Sequence, residues 1–415
     1  MGKLHMRGGS MNRFLVVGKS KYVVLAVLQA IRSFTDAQTL VIGDEETSSM
    51  RWSSLCTEKL AIRFDGTSDL AFVGMVNRLA RDCPGTILLP VDCDGIRLVH
   101  RVRHQLQVDI APIPSPQNLE TFDDKWLFHQ FCTAHGLRVP ATRFVGAKEK
   151  LDYAEIAQEF SVPFVVKPTN MAGSMGVKVV TGREDFEANI LFNPAYDYNS
   201  LIVQRYVDGT DIDLSLLADH GTVSAFAIQR IAGARIEFLP DPYLEMVAAT
   251  ICSLSGYDGV MHIDARIDRN TGTVYLIEAN PRFWASLAAS VVCGINFVAA
   301  SVAPRTATSG VRRLTTGEAS CRHPLLQPAS WKNLVTDAGY LGRLFRAKAL
   351  DPYSVGQFGM ELSASCVRYA RKKAMMRPNG GTRLPVCDPL VATATSEHAN
   401  RQTPVAAATP ARASP

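Results

Sequence analysis

A chain of 415 residues exceeds what one ordinary hydrophobic core can organise, so two or three domains are expected. Hydrophobic residues at 47% and charged residues at 20% exclude a fully disordered, collagenous or membrane-saturated chain. With 44 Lys and Arg against 39 Asp and Glu, the net charge of +5 is too small to argue for a nucleic-acid partner.

Residues 1–10 read as a poorly structured leader, with folded sequence beginning near Met11. Lys19 and Lys21 interrupt the apolar run that starts at Phe14, so secretion is not signalled by this stretch. The nine cysteines are odd in number, scattered and free of CxxC pairs, which argues against a disulfide framework or zinc cluster and makes a reducing cytoplasm the default.

From there the pattern alternates. A strand over Arg13–Gly18 is followed by a helix through Val24, Leu28 and Ile31, and then by a strand over Thr39–Ile42. A strand near Leu60–Phe64, a helix over 68–81 and a strand over Thr86–Leu89 complete an open parallel α/β sheet within residues 12–115. Gly18-Lys19-Ser20 invites a phosphate-loop reading, but Arg13 stands where a Walker A glycine is required, so it is rejected. His100 and His104 lack a third metal ligand and read as surface histidines.

Residues 116–305 change to an antiparallel α+β texture, with a subdomain over about 140–208. Asp124-Lys125 opens a helix that Gly136 ends, and Pro140 starts an extended segment. A hairpin over Phe164–Val180 carries Lys167 at the end of its first strand. Its loop, Ala172-Gly173-Ser174-Met175-Gly176, has backbone N–H groups able to close over phosphates, although glycine hairpins without such a role are equally common.

The second hairpin, Val260–Ala279, is more specific. With Asn270-Thr271-Gly272 as a three-residue loop, in-register pairing sets Asp264 opposite Glu278. Two carboxylates facing each other call for positive charge between them, and Asn280 adds a carbonyl oxygen on the same face. This all-oxygen set suits Mg²⁺ held with nucleotide phosphates. A solvated polar edge is the competing reading and leaves Pro281-Arg282 unexplained. On this view Glu278→Gln relieves like-charge strain and leaves the metal-free fold as stable as the parent or more so.

The charge-free run Phe283–Pro304 is long enough to span a bilayer, but its Ala/Ser content and central Cys293-Gly294 favour a helix, a break and a second helix. Residues 306–377 read as mainly helical, and the five basic residues from Arg368 to Arg377 read as a solvated helix end. The tail, 378–415, has six prolines and no aromatic residue and is expected to be disordered.

Together, Asp124-Lys125, Val166-Lys167-Pro168, the Gly173–Val177 loop, the run Val203–Gly209, Asp264 and Glu278-Ala279-Asn280-Pro281-Arg282 resemble the ATP-grasp superfamily, in its carbamoyl-phosphate-synthetase and biotin-carboxylase-like branch. The resemblance covers residues 12–305. It implies a Rossmann-like pre-ATP-grasp domain over 12–115 and an ATP-grasp fold over 116–305, its lid at about 140–208. It further implies that Lys125 and Lys167 hold the nucleotide, the latter at the α-phosphate, while Gly173, Ser174 and Gly176 cover the β- and γ-phosphates. Gln204, Arg205, Tyr206 and Val207 form the adenine hinge, and Asp211 lies near the ribose. Asp264, Glu278 and Asn280 ligate the metal, and Arg282 acts with Lys167 in catalysis, steadying the transferred phosphoryl.

The hinge departs from the usual Gln-Glu in having Gln204-Arg205, and Asp211 and Asp264 are shorter than the customary glutamates. The activity implied is an ATP-dependent carboxylate–amine ligase using an acyl phosphate, with ATP and Mg²⁺ or Mn²⁺ as cofactors. Small-molecule carboxylate and amine substrates are expected, with no nucleic acid or membrane span; a homodimer is allowed. Arg230 and Arg235 stand as candidates for the substrate carboxylate, with solvated loop arginines as the even alternative. A carboxyphosphate-forming enzyme and a non-catalytic ATP-binding protein are the alternative functions.

Overall fold

The computed structural model describes residues 12–232, 235–303, 310–320, 323–326, 328–336, 339–360 and 362–363. The expected leader, the basic stretch from Arg368 to Arg377 and the expected disordered tail lie outside the described residues.

The first sheet is wholly parallel, as its apolar runs require. It comprises β1 (Arg13–Val17), β2 (Gln38–Gly43), β3 (Glu58–Ala61), β4 (Thr86–Pro90) and β5 (Asp109–Ile110) in the order β3-β2-β1-β4-β5. Helices α1 (Lys21–Arg32), α2 (Asp69–Asp82) and α3 (Cys93–Val102) make the crossovers. β3 begins and ends earlier than expected, and Phe64 falls instead in a turn where Asp65 accepts from Arg63 and from the Thr67 N–H.

Strand order reverses between β1 and β4, where open α/β sheets form a crevice beyond the strands' carboxyl ends. There the Lys19 and Ser20 N–H groups both donate to Asp92 Oδ2 at 2.7 Å, and Gly95 N–H donates to Oδ1 at 2.9 Å. The chain's own carboxylate thus occupies the α1 N-terminus, in keeping with the rejected phosphate-loop reading.

Next come α4 (Pro116–Asp123) and α5 (Lys125–Ala134), whose N-cap Asp124 accepts from Trp126 and Leu127 N–H. An antiparallel sheet follows, ordered β6-β9-β7-β8, from β6 (Thr142–Val145), β7 (Phe164–Pro168), β8 (Lys178–Val180) and β9 (Leu201–Arg205). Phe164, Val166, Leu201 and Val203 face α6 (Tyr153–Phe160) and α7 (Arg183–Phe186) in one core. By strand alternation Lys167, Ile202 and Phe144 form a row on the opposite face.

The third sheet runs β14-β13-β10-β11-β12-β16, with β15 added alongside β11. Its strands are β10 (Gly209–Asp219), β11 (Thr222–Ala232), β12 (Arg235–Phe238), β13 (Gly259–Asp268), β14 (Val274–Asn280), β15 (Arg312–Leu314) and β16 (Gly317–Ser320). One face buries Leu214, Leu216, Ile263 and Leu276 against α8 (Pro242–Ser255) and α5. The charge-free run folds as expected into α9 (Leu287–Cys293), a break at Gly294 with φ +118°, and α10 (Phe297–Val302). Among the described residues no helix is long and apolar enough to cross a membrane.

The extension contains α11 (Pro328–Thr336), α12 (Tyr340–Ala349) and a helix over 352–360, as expected, but it first contributes β15 and β16. Strands of three and four residues are too short for periodicity to reveal. Asp351, fully buried, accepts from Ser53 Oγ, Ser54 N–H, Ser54 Oγ, Ser354 N–H and Ser354 Oγ, joining the extension to the first domain. Between that extension, α9, α10 and the parallel sheet, α1 is buried continuously from Val23 to Ile31.

Gly209 opens β10 opposite Asp268, and a Cβ built there would lie 1.8 Å from the Ile267 carbonyl oxygen. Gly209→Ala must push β10 from β13, and an expected loss of about 3 kcal/mol should appear in a denaturant melt. A melt superimposable on the parent's would show that the strand edge yields freely.

Candidate functional site

The site begins with strand register. Gln229, Asp213, Asp264 and Glu278 are successive cross-strand neighbours on β11, β10, β13 and β14; Ser215, His262 and Asn280 form the next row on the same face. The Asp264–Glu278 pairing matches expectation, but the route to it differs. The loop holds four residues, 269–272, with Gly272 at φ +67°, and Asp268 pairs with Thr273. Ile277 is then an extra residue on β14, and this bulge restores the Asp264–Glu278 pair.

Two lysines reach this row, one from α5 and one from the small sheet. Lys125, 6% exposed at the start of α5, places Nζ 3.2 Å from Glu278 Oε2 and donates to the Met171 carbonyl. Lys167, 3% exposed on β7, reaches the bulge, with Nζ 3.5 Å from the Ile277 carbonyl. Burial lowers the Lys167 ammonium to about 8, with Glu278 opposing the shift and Lys125 adding to it. Arg282 donates to Asn280 Oδ1 and to the Phe283 carbonyl, each at 2.8 Å.

Asp264 is held on its other side by His262, whose Nε2 lies 3.2 Å from Oδ1. Burial alone would raise the Asp264 carboxyl, but the His262 hydrogen bond and charge outweigh it and hold it below the usual range. Burial pushes the neighbouring Asp213 carboxyl upward. Asp264, Glu278 and Asn280 therefore present two carboxylates and an amide oxygen on one face, a donor set that fits a hard divalent cation.

Gly173, Ser174 and Gly176 adopt left-handed backbone conformations at φ +65°, +61° and +73°. Tyr196 Oη donates to the Gly176 carbonyl, so the loop's base is tied to a residue packed in the small sheet's core. In the hinge segment, buried Gln204 donates to Thr142 Oγ1, and the Arg205 guanidinium lies over the Tyr275 ring at 4.8 Å; Tyr206 and Val207 follow β9. Asp211 pairs with Arg266 at 3.1 Å.

Arg230 and Arg235 are not drawn into the lysine and carboxylate cluster. Arg230 on β11 pairs with Glu237 at 2.7 Å, and Arg235 on β12 pairs with Glu318 at 3.4 Å. Sequence reasoning passed over Asp213, Ser215, Gln229 and His262. Their signal was available: Asp213 and Ser215, like His262 and Asp264, are polar at alternate positions of otherwise apolar strands.

Residues 122–239 match the family described as "ATP-grasp domain", and residues 197–320 match "ATP-grasp in the biosynthetic pathway with Ter operon". Over 181 residues the chain is 24% identical to the arginine-specific large chain of carbamoyl phosphate synthase from Bacillus subtilis (strain 168), covering 40% of this chain and 17% of that one. It is 25% identical over 169 residues to D-alanine–D-alanine ligase from Thermoanaerobacter sp. (strain X514), covering 35% and 47%. Thus the match spans less than half the length of these curated relatives. The fold resembles the biotin carboxylase domain of Hydrogenobacter thermophilus 2-oxoglutarate carboxylase, solved with MgADP, ADP and bicarbonate, with TM-score 0.55 and 16% identity over 75% of this chain and 74% of that one.

Proposed function

Because this chain carries an ATP-grasp domain, we propose that it is an ATP-dependent carboxylate–amine ligase. The observation that carries the reading is the approach of buried Lys125 and Lys167 to a carboxylate pair, Glu278 opposite Asp264, with Arg282 bound to the adjoining Asn280.

In this reading Lys125 and Lys167 hold nucleotide phosphates, and the Gly173–Gly176 loop covers them with backbone N–H groups. Gln204, Arg205, Tyr206 and Val207 flank the adenine, and Asp211 lies toward the ribose. Asp264, Glu278 and Asn280 would hold Mg²⁺, which supplies charge neutralisation on the phosphates when bound. A substrate carboxylate oxygen attacks the γ-phosphorus, the bond to the β-phosphate oxygen breaks, and ADP leaves. Arg282 steadies the resulting acyl phosphate. An amine then attacks the acyl carbon, phosphate departs, and the nitrogen loses a proton. The chain's part is positioning and electrostatic stabilisation, with no covalent side-chain nucleophile.

The test is a panel of carboxylates and amines scored by ADP and phosphate release. With the stimulating carboxylate present and the amine omitted, hydroxylamine should intercept a hydroxamate. AMP and pyrophosphate would refute the acyl-phosphate route, and a stable phosphorylated alcohol would make the enzyme a kinase.

A further inference from the structure

We propose that Asp213, His262 and Asp264 form a site for a divalent transition metal of the Mn²⁺ or Co²⁺ class, filled without nucleotide and sharing only Asp264 with the set of Asp264, Glu278 and Asn280. One potential ligand atom from each of the three residues lies within 4.8 Å of the others. Asp213 and His262 are buried, while the Asp264 side chain is partly exposed and has Asp213 and His262 on one flank and Glu278 on the other.

Register creates this set. Asp213 on β10 stands opposite Asp264 on β13, and His262 lies two residues before Asp264 on the same face. The 3.2 Å between His262 Nε2 and Asp264 Oδ1 is a separation that two ligands of one ion also adopt, about 3.0–3.4 Å for bonds near 2.1 Å.

Residues outside the set orient its members as metal ligands are oriented. Ser215 Oγ and His262 Nδ1 share a hydrogen bond of 2.9 Å, which leaves Nε2 as the ring atom facing the carboxylates. Gln229 donates from Nε2 to Asp213 Oδ2 at 3.1 Å and to Ser286 Oγ at 3.2 Å, fixing the second acid from β11. Trp284 stacks on the imidazole at 5.2 Å with the ring planes 14° apart.

The imidazole decides the class of ion. An all-oxygen set suits Mg²⁺, whereas one nitrogen with two carboxylates favours a first-row transition metal. On binding, the cation takes the position of the Nε2 proton, which is released to solvent, and its two charges compensate the facing acids.

The experiment titrates Co²⁺ alone into the nucleotide-free full chain and reads visible absorbance. One equivalent should bind with a ligand-field band, and His262→Ala and Asp213→Asn should each weaken binding at least tenfold. Ser215→Ala should weaken it by about tenfold, through loss of ring orientation. Glu278→Gln should leave it unchanged, which separates this ion from a nucleotide-bound one. Should His262→Ala fail to fold, Asp213→Asn and Ser215→Ala carry the test. Absence of Co²⁺ uptake by the parent, or uptake lost in Glu278→Gln and kept in His262→Ala, would overturn the assignment.

Discussion

Glu278→Gln is expected to abolish ATP turnover and to lower the melting temperature. The first effect follows from the proposed metal set, which loses one of its two carboxylates. The second reverses the expectation drawn from the hairpin alone, where removing a charge opposite Asp264 relieves repulsion. Lys125 Nζ lies 3.2 Å from Glu278, at side-chain exposures of 6% and 19%, and Lys167 is stabilised in its charged form by the same carboxylate. Neutralising Glu278 leaves two buried ammonium groups short of a counter-charge, a cost of up to about 3 kcal/mol. The double variant Lys125→Met/Glu278→Gln should regain most of the lost melting temperature and none of the turnover. Metal-dependent turnover at the parental rate in the single variant would end the metal assignment, and an unchanged melting temperature would end the ion-pair argument.

Asp351→Ala should be nearly as damaging, although it lies in the extension. The carboxylate accepts from Ser53, Ser54 and Ser354 without any solvent exposure, so its removal strands several donors at once. A loss of about 3 kcal/mol is expected, lowering the melting temperature by about 5–10 °C. Calorimetry provides the measurement; a shift within about 1 °C would show that the extension rests on the first domain without holding it.

The parallel sheet was legible because its inner strands β1, β2 and β4 are largely buried apolar runs and its helices carry apolar periodicity. The Glu278–Arg282 run was legible because the functional groups lie within five residues. Asp264 faces Glu278 through two one-residue departures from a simple hairpin that cancel, the longer loop and the Ile277 bulge. Contacts set by distant strands stayed hidden: nothing local places Glu237 beside Arg230, Glu318 beside Arg235, or Asp213 beside Asp264. The same holds for β15 and β16, whose existence depends on β11 and β12, built far earlier in the chain.

The confinement of α1 has a mechanical consequence. At its far end, Arg343 donates to the Ser33 carbonyl, and Asn296 donates to the Ala30 carbonyl and to Ser33 Oγ. At its near end, the Lys19-Ser20 turn is fastened to Asp92 beside the crevice. Twelve residues of helix make a strut of about 18 Å, stiff along its axis and gripped at both ends. The extension thus holds one end of a rod whose other end stands at the crevice, while β15 and β16 tie the same extension directly to the sheet that carries the carboxylates.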